Sequence, residues 1–330
     1  MTSPFRFTSP EPAGRTTGTA AAVHAQLTRD FGIEGALPFV ALSAAPDLMA
    51  GAWALMRESL LSGHASRTEK ELVTYGVSLA NRCPFCVGAH TLLLYAGGDR
   101  DLAGSLARGE RPADPEHARL LAWGQDMRGP WPFAAADAPE FVGSALAFHF
   151  INRIVSALID EEAVSGGADP AELLDSEAGQ ALVRAVRGRP EPGLSLPLLG
   201  TGGPQPPWAA GTPVGAAFGA LRAAAHAGAG LLDERDAVFV RESVAAWDGF
   251  TPLPLTGELP DRAERPEARL ALLAARAPYR ITAEDVKAWR VPPFTDHCLV
   301  HLVAFGAMLA VERVEAGLTA QREARGGARG

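Results

Sequence analysis

The chain is poor in several residue types and segments, and each scarcity narrows its possible functions. It has three cysteines in 330 residues, an odd number that does not make a disulfide framework. Aromatic residues make up 7% of the sequence, and because alanine and leucine dominate, the composition favours helix over sheet. The hydrophobic content of 47% is still ordinary for a globular protein with a sizeable core.

The sequence also shows none of the usual signals for membranes, export or nucleic acid. No basic run accompanies the net charge of −8, which argues against nucleic acid or an anionic membrane as a partner. No apolar run stands out as long enough to span a bilayer, and the opening MTSPFRFTSP is no signal peptide. We therefore expect a cytoplasmic protein.

The length and the spacing of apolar residues predict an all-α chain with two helical domains. We expect an arm and a short helix over residues 1–35, a helical domain over 36–186, a Pro/Gly-rich linker over 187–212 and a second helical domain over 213–330. Segments that begin at Pro46, Glu71, Pro115 and Ser144 match segments that begin, in the same order, at Pro213, Asp236, Pro266 and His301. This order predicts two degenerate tandem repeats, of which the second has Asp248 and Thr251 in place of Cys83 and Cys86.

The residues with the most chemical potential lie close together in ELVTYGVSLANRCPFCVGAH, residues 71–90. Glu71 is followed after eleven residues by Cys83, after two more by Cys86 and after three more by His90. Thr68 and Glu71 have the spacing of a capping box, which predicts a helix from Thr68 to about Ala80, although residues 73–79 also alternate as a strand does. Cys83 and Pro84 then suit the start of a second helix that ends at Gly97 and Gly98.

Three local features predict that Cys86 is an activated nucleophile. It falls in the first turn of its helix, near the positive end of the helix dipole. His90 is one turn further on the same face, where it can act as a base. Glu71, on the preceding helix, can orient His90 or accept its proton through a water. Cys83 is near enough to give a proton to a leaving group and to form a disulfide with an oxidised Cys86.

The four-residue pattern Glu71, Cys83, Cys86 and His90 resembles the alkylhydroperoxidase D-like branch of the carboxymuconolactone decarboxylase family. The resemblance extends over about residues 36–160 and includes the pair Asn152 and Arg153. It implies an oligomeric helical bundle that reduces hydroperoxides, or acts as a disulfide oxidoreductase, without a cofactor. Cys86 would form the sulfenic acid, Cys83 the disulfide, and Glu71 and His90 the proton relay, with an external dithiol protein as reductant.

The pattern also departs from that family in one place. Members of the peroxidase branch often carry a histidine just before the second cysteine, where this chain has Phe85. This exchange predicts a shorter relay and a more apolar site. The decarboxylase branch lacks the cysteine pair, so decarboxylation is not expected.

Other interpretations of the same residues stay open at the level of sequence. Cys83, Cys86 and His90 are three plausible zinc ligands, although a structural zinc site needs four. Glu71 can be a simple capping residue, and the cysteine pair can sense oxidation or stabilise an oligomer without catalysis. CPFC also resembles a glutaredoxin active site, which requires a strand before it. Finally, Cys298 lies between His297 and His301, where a buried cysteine is the simpler interpretation than a metal pair.

Overall fold

The protein is built from helices, as the sequence predicts. The structure, a computed structural model, describes residues 3–160, 170–200, 202–251 and 259–326, and within these ranges the β pairing amounts to one bridge between Phe5 and Ile159. The helices of the first half are α1 Gly18–Phe31, α2 Leu37–Leu42, α3 Pro46–Met56, α4 Arg67–Ala80, α5 Pro84–Gly97, α6 Arg100–Ala107, α7 Pro115–Asp126, α8 Ala138–Leu158, α9 Pro170–Asp175 and α10 Glu177–Arg187. Those of the second half are α11 Pro213–His226, α12 Glu234–Ala245, α13 Pro266–Arg276, α14 Ala283–Trp289 and α15 Asp296–Gly326.

Helix α8 is the central element of the bundle. Every residue of it except Pro139 is buried, because α3 and α4 pack against it from the first half and α15 from the second. A helix that is apolar on all sides requires such complete coverage. By length and composition α8 and α15 are two helices that suffice to cross a membrane, which the sequence reasoning missed. The most apolar window of α8 is fully buried inside the protein and that of α15 is 72% buried, so packing accounts for their composition.

The segment with ambiguous alternation, residues 73–79, is part of helix α4. Within this segment, Gly76 allows α7 to cross α4 with the two backbones in direct contact. A Cβ on Gly76 would lie 2.5 Å from the carbonyl oxygen of Leu121, and one on Gly124 would lie 2.3 Å from that of Val73. The described residues before Cys83 therefore contain no strand of the kind that a glutaredoxin-like fold needs.

The two halves of the chain pack together through one continuous apolar core. Helix α3 packs on α11, with Gly51 against Leu221, and α8 packs on α15. These are pairs whose sequences match in the proposed repeat, so the halves meet through corresponding helices. The repeat itself and the domain boundaries stay predictions.

The segment between α10 and α11 is bonded to the first half rather than extended into solvent. A π-helical turn over Arg57–Leu61 follows α3 and places the carboxylate of Glu58 against this segment. That carboxylate accepts hydrogen bonds from the amide of Gly193 at 2.6 Å and from the hydroxyl of Ser195 at 2.5 Å. Arg57 balances its charge at 2.7 Å.

The N-terminal arm is likewise held by hydrogen bonds. Arg6 donates one hydrogen bond to the carbonyl of Ser156 at 2.9 Å and another to the carbonyl of Ile281 at 2.5 Å. Arg290 donates to the carbonyl of Phe7 at 3.0 Å. The arm thus bridges α8 and the second half.

Candidate active site

Helices α4 and α5 bring the four residues of the predicted pattern into one region. The N-cap of helix α4 lies two residues before the predicted one. It is Ser66, not Thr68, and its hydroxyl accepts a hydrogen bond from the amide of Glu69. Thr68 instead donates a hydrogen bond to Asp99 at 2.6 Å. The side chain of Glu71 is thereby left for another partner, so its interpretation as a capping residue is wrong.

The start of α5 follows the sequence prediction. Cys83 is the N-cap residue, Pro84 occupies the first helical position, and Gly98 ends the helix in the left-handed conformation at φ 107°. Cys86 therefore lies in the first turn, where backbone N–H groups without helical partners create a positive potential.

Glu71 and His90 form a direct hydrogen bond across the α4–α5 contact. The distance from Glu71 Oε2 to His90 Nδ1 is 2.6 Å, and both side chains are 1% exposed. Since a carboxylate only accepts, Nδ1 carries the proton, and the other ring nitrogen, Nε2, is left as the basic one. Nε2 is buried and has no hydrogen-bond partner in the structure. The water-mediated link considered from sequence is therefore unnecessary.

Arg67 is a member of this site that sequence reasoning missed. Its Nε lies 2.7 Å from Glu71 Oε1, one helical turn away. Burial by itself raises the pKa of the Glu71 carboxyl, but the charge of Arg67 and the hydrogen bond from His90 outweigh it and hold that pKa below its ordinary value. The spacing of Arg67 and Glu71, four residues apart on one helix, was the signal available in the sequence.

Both cysteines of the pair are reduced and buried. Cys86 lines a cavity of about 230 Å³ together with His90, whereas Cys83 is absent from the described cavity wall. Cys86 and His90 therefore line the same cavity, whereas Cys83 is the N-cap residue of α5.

The wall of this cavity is almost entirely apolar, and Cys86 and His90 are its sole residues with a polar side-chain atom among those described. Phe148 packs edge-on against the His90 ring with centroids 4.4 Å apart. Phe85, the residue at the departure from the family pattern, is also part of the wall. The lining residues are Phe31, Ile33, Gly35, Ala36, Leu37, Pro38, Phe39, Met56, Phe85, Cys86, Ala89, His90, Leu92, Leu93, Phe148, Ile151 and Leu182.

Asn152 and Arg153 of α8 hold the end of α4 that leads into the cysteine pair. Asn152 accepts a hydrogen bond from Asn81, the C-cap of α4, at 2.9 Å, and donates one to Ser78 at 3.2 Å. Arg153 donates to the carbonyl of Ala275 at 2.8 Å. These two residues support the turn before Cys83 without lining the cavity.

Three other buried residues, Trp53, Tyr75 and His149, do not line the cavity and are held by structural contacts. Trp53 donates a hydrogen bond to Gln26 at 2.9 Å, and Tyr75 donates one to the carbonyl of Leu106 at 2.9 Å. Burial lowers the pKa of His149 well below its ordinary value, so this residue is neutral and bonds Asn81.

The metal interpretations find no support in the geometry of the described part of the chain. No group of three or more His, Cys, Asp or Glu side chains there is arranged to hold a metal ion. Cys83, Cys86 and His90 do not form such a group. The same is true of Cys298 and its neighbours, where His297 and His301 pack ring to ring with centroids 4.5 Å apart.

Comparison with known proteins agrees with this geometry. Residues 46–102, which run from the start of α3 into α6, match the carboxymuconolactone decarboxylase family. The chain is 36% identical over 328 aligned positions to alkyl hydroperoxide reductase Rv2159c of Mycobacterium tuberculosis, an alignment that covers 94% of this chain and 93% of that protein. No solved structure is significantly similar. The chain belongs to the carboxymuconolactone decarboxylase family, and its relative places it with the alkylhydroperoxidase-like members.

Proposed function

We propose that the chain is a thiol-dependent reductase of organic hydroperoxides. The observation that carries this proposal is the Glu71–His90 hydrogen bond of 2.6 Å, which leaves His90 Nε2 free at a cavity that Cys86 also lines. The name of the relative, alkyl hydroperoxide reductase, supports the same class of reaction. The apolar wall favours an alkyl or aryl hydroperoxide over hydrogen peroxide, because burial of apolar surface is what such a cavity supplies.

The first step is the attack of Cys86 on the peroxide. His90 Nε2 takes the thiol proton, and the thiolate attacks the terminal oxygen of the hydroperoxide. The O–O bond breaks, Cys86 becomes a sulfenic acid, and the proton on His90 passes to the departing alkoxide to give an alcohol. Sulfur is oxidised by two electrons and the peroxide is reduced by two. Glu71 stabilises the imidazolium that exists between these transfers.

The second step regenerates the thiol. The Cys83 thiol attacks the sulfur of the sulfenic acid, a disulfide forms and water leaves. An external protein dithiol then reduces the disulfide. Because Cys83 is fully buried and stands at the helix N-cap, we propose that the first turn of α5 rearranges before this bond forms.

We further propose that the protein works in the cytoplasm as a homo-oligomer and needs no cofactor. Within one chain, α3 already packs on α11 and α8 on α15. If the second half is a repeat, these contacts replace an interface that shorter relatives make between chains.

The test is consumption of cumene hydroperoxide with a dithiol regenerant. We expect turnover in the wild type and in Cys298→Ser, which changes a cysteine remote from the cavity wall, and loss of turnover in Cys86→Ser. Cys83→Ser should form a sulfenic acid that dimedone traps, since the resolving thiol is gone. A wild type no faster than Cys86→Ser would refute the proposal and leave the cysteine pair with a sensing or structural role.

A further inference from the structure

An arginine-rich groove lies beside the apolar cavity, between α1 and α10. Its volume is about 380 Å³, and its charged residues are Arg29 and Asp30 of α1, Arg184 of α10, and Arg189, two residues after α10 ends. The remaining wall is formed by Thr28, Ala181, Ala185, Gly188 and Pro190.

The groove and the cavity share their dividing wall. On α1, Asp30 lines the groove and the next residue, Phe31, lines the cavity; on α10, Ala181 lines the groove and Leu182 the cavity. Consecutive Cα atoms are about 3.8 Å apart, so the two hollows adjoin. They are separated by a backbone contact, in which a Cβ on Gly32 would lie 2.8 Å from Leu182 Cα.

The groove is positively charged although the chain carries a net charge of −8. The carboxylate of Asp30 is already bound by Arg29 at 2.7 Å and by the buried Arg57 at 2.7 Å. Within the described part of the chain, Arg184 and Arg189 make no ion pair with a carboxylate, so their charges are available to an anion. The cavity itself contains no Lys or Arg among the residues that line it.

We infer that the preferred substrate is a hydroperoxide with an apolar chain and a terminal carboxylate, such as a fatty-acid hydroperoxide. This inference rests on the proposed function. The apolar part and the hydroperoxide group lie against Cys86, where the terminal oxygen is transferred to sulfur and an alcohol is left. The carboxylate is unchanged by the reaction and lies in the groove, paired with Arg184 and Arg189.

A substrate that occupies both hollows has to pass the contact between α1 and α10, and the packing of α10 permits this. The buried apolar residues of α10 belong to a small cluster that is joined to the main core through the partly buried Phe31, Ile33 and Tyr95, so displacement of α10 leaves the fully buried contacts within the main core in place. The cluster consists of Leu93, Ala96, Leu174, Leu182 and Val186.

Binding of a non-reactive analogue tests the inference without any chemistry. By titration calorimetry below the micelle concentration, dodecanoate should bind the wild type about threefold or more tightly than 1-dodecanol, the scale of an exposed charge pair. Arg184→Gln should remove this preference. Arg187→Gln is the matched control, since Arg187 is exposed on the same helix but lies outside the groove wall, and it should keep the preference. Equal binding of the two ligands, or equal effects of the two substitutions, would overturn the inference.

Turnover separates this inference from the proposed function. The wild type should reduce linoleic acid hydroperoxide with a lower KM than its methyl ester, and Arg184→Gln should raise KM for the acid alone. Reduction of cumene hydroperoxide and of both lipid hydroperoxides at equal KM would overturn the inference and leave the proposed function standing. If Arg184→Gln slows only regeneration by a protein dithiol, the groove is instead a docking site for an acidic reductant, and the inference fails.

Discussion

Replacement of Arg67 by glutamine tests the ion pair on which the site depends. Arg67 Nε lies 2.7 Å from Glu71 Oε1, and the other carboxylate oxygen lies 2.6 Å from His90. Without the guanidinium, burial becomes the dominant influence on Glu71, and burial favours the protonated carboxyl. A protonated Glu71 no longer stabilises a charged His90, so the proton transfer from Cys86 becomes less favourable.

The exposure of the Arg67 and Glu71 side chains determines how much free energy their ion pair contributes. Glu71 is 1% exposed and Arg67 is 17% exposed, so solvent screens their interaction weakly. Removing one partner of a buried pair costs about 3–5 kcal/mol, and we take about 3 kcal/mol because the guanidinium reaches solvent. Arg67→Gln should therefore lower the free energy of unfolding by about 3 kcal/mol, and the pKa of Glu71 should rise because burial then favours its protonated form.

The assay is the rate of Cys86 alkylation and of cumene hydroperoxide reduction as a function of pH. The acid limb of both profiles should move to higher pH, since Glu71 is ionised above its pKa and that pKa has risen. Arg67→Lys should keep much of the wild-type profile, because the lysine ammonium still places a positive charge beside Glu71. Arg119→Gln, which removes an exposed arginine paired with Glu116 on α7, should change neither. A wild-type profile in Arg67→Gln would refute the reasoning.

Three further predictions follow from packing and charge. Gly124→Ala should lower the free energy of unfolding by about 1–3 kcal/mol in a denaturant melt, because its Cβ meets the carbonyl of Val73; Gly129→Ala, in open space, is the control and should be near neutral. Ala89→Phe should fill the cavity and lower kcat/KM for cumene hydroperoxide about tenfold, with a smaller effect on hydrogen peroxide; equal losses would contradict the cavity as the binding site. The pKa of Glu71 is lower in the folded state than in the unfolded state, so its contribution to the free energy of unfolding should be complete above about pH 4.3 and be lost as the pH falls through the folded-state pKa. If the Tm of Glu71→Gln stays below that of the wild type down to about pH 2, this reasoning is contradicted.

The class of fold and the placement of the four candidate residues on successive helices were predictable because local patterns determine them. Pro84 and Gly98 set the limits of α5, and the spacing of Glu71, Cys83, Cys86 and His90 placed them on two successive helices. That Glu71 bonds His90 directly was one of the alternatives open from sequence.

Other features depend on contacts that are distant in sequence. Ser66 and Thr68 are equally good cap residues, and what separates them is Asp99, which accepts a hydrogen bond from Thr68 across 31 residues. The wall of the cavity joins α1, α2, α3, α5, α8 and α10, and no periodic pattern reveals which apolar faces remain unfilled. The sequence reasoning also missed that α8 is long and apolar enough to cross a membrane. Its burial under α3, α4 and α15 is visible in the structure alone.

The most direct test of the central claim is a double-mutant cycle on Glu71 and His90, with the rate of Cys86 oxidation by cumene hydroperoxide as the readout. If Glu71 acts through His90, Glu71→Gln and His90→Ala should each slow oxidation, and the double variant should be no slower than His90→Ala alone. Losses that multiply in the double variant, or oxidation at the wild-type rate in His90→Ala, would contradict the account.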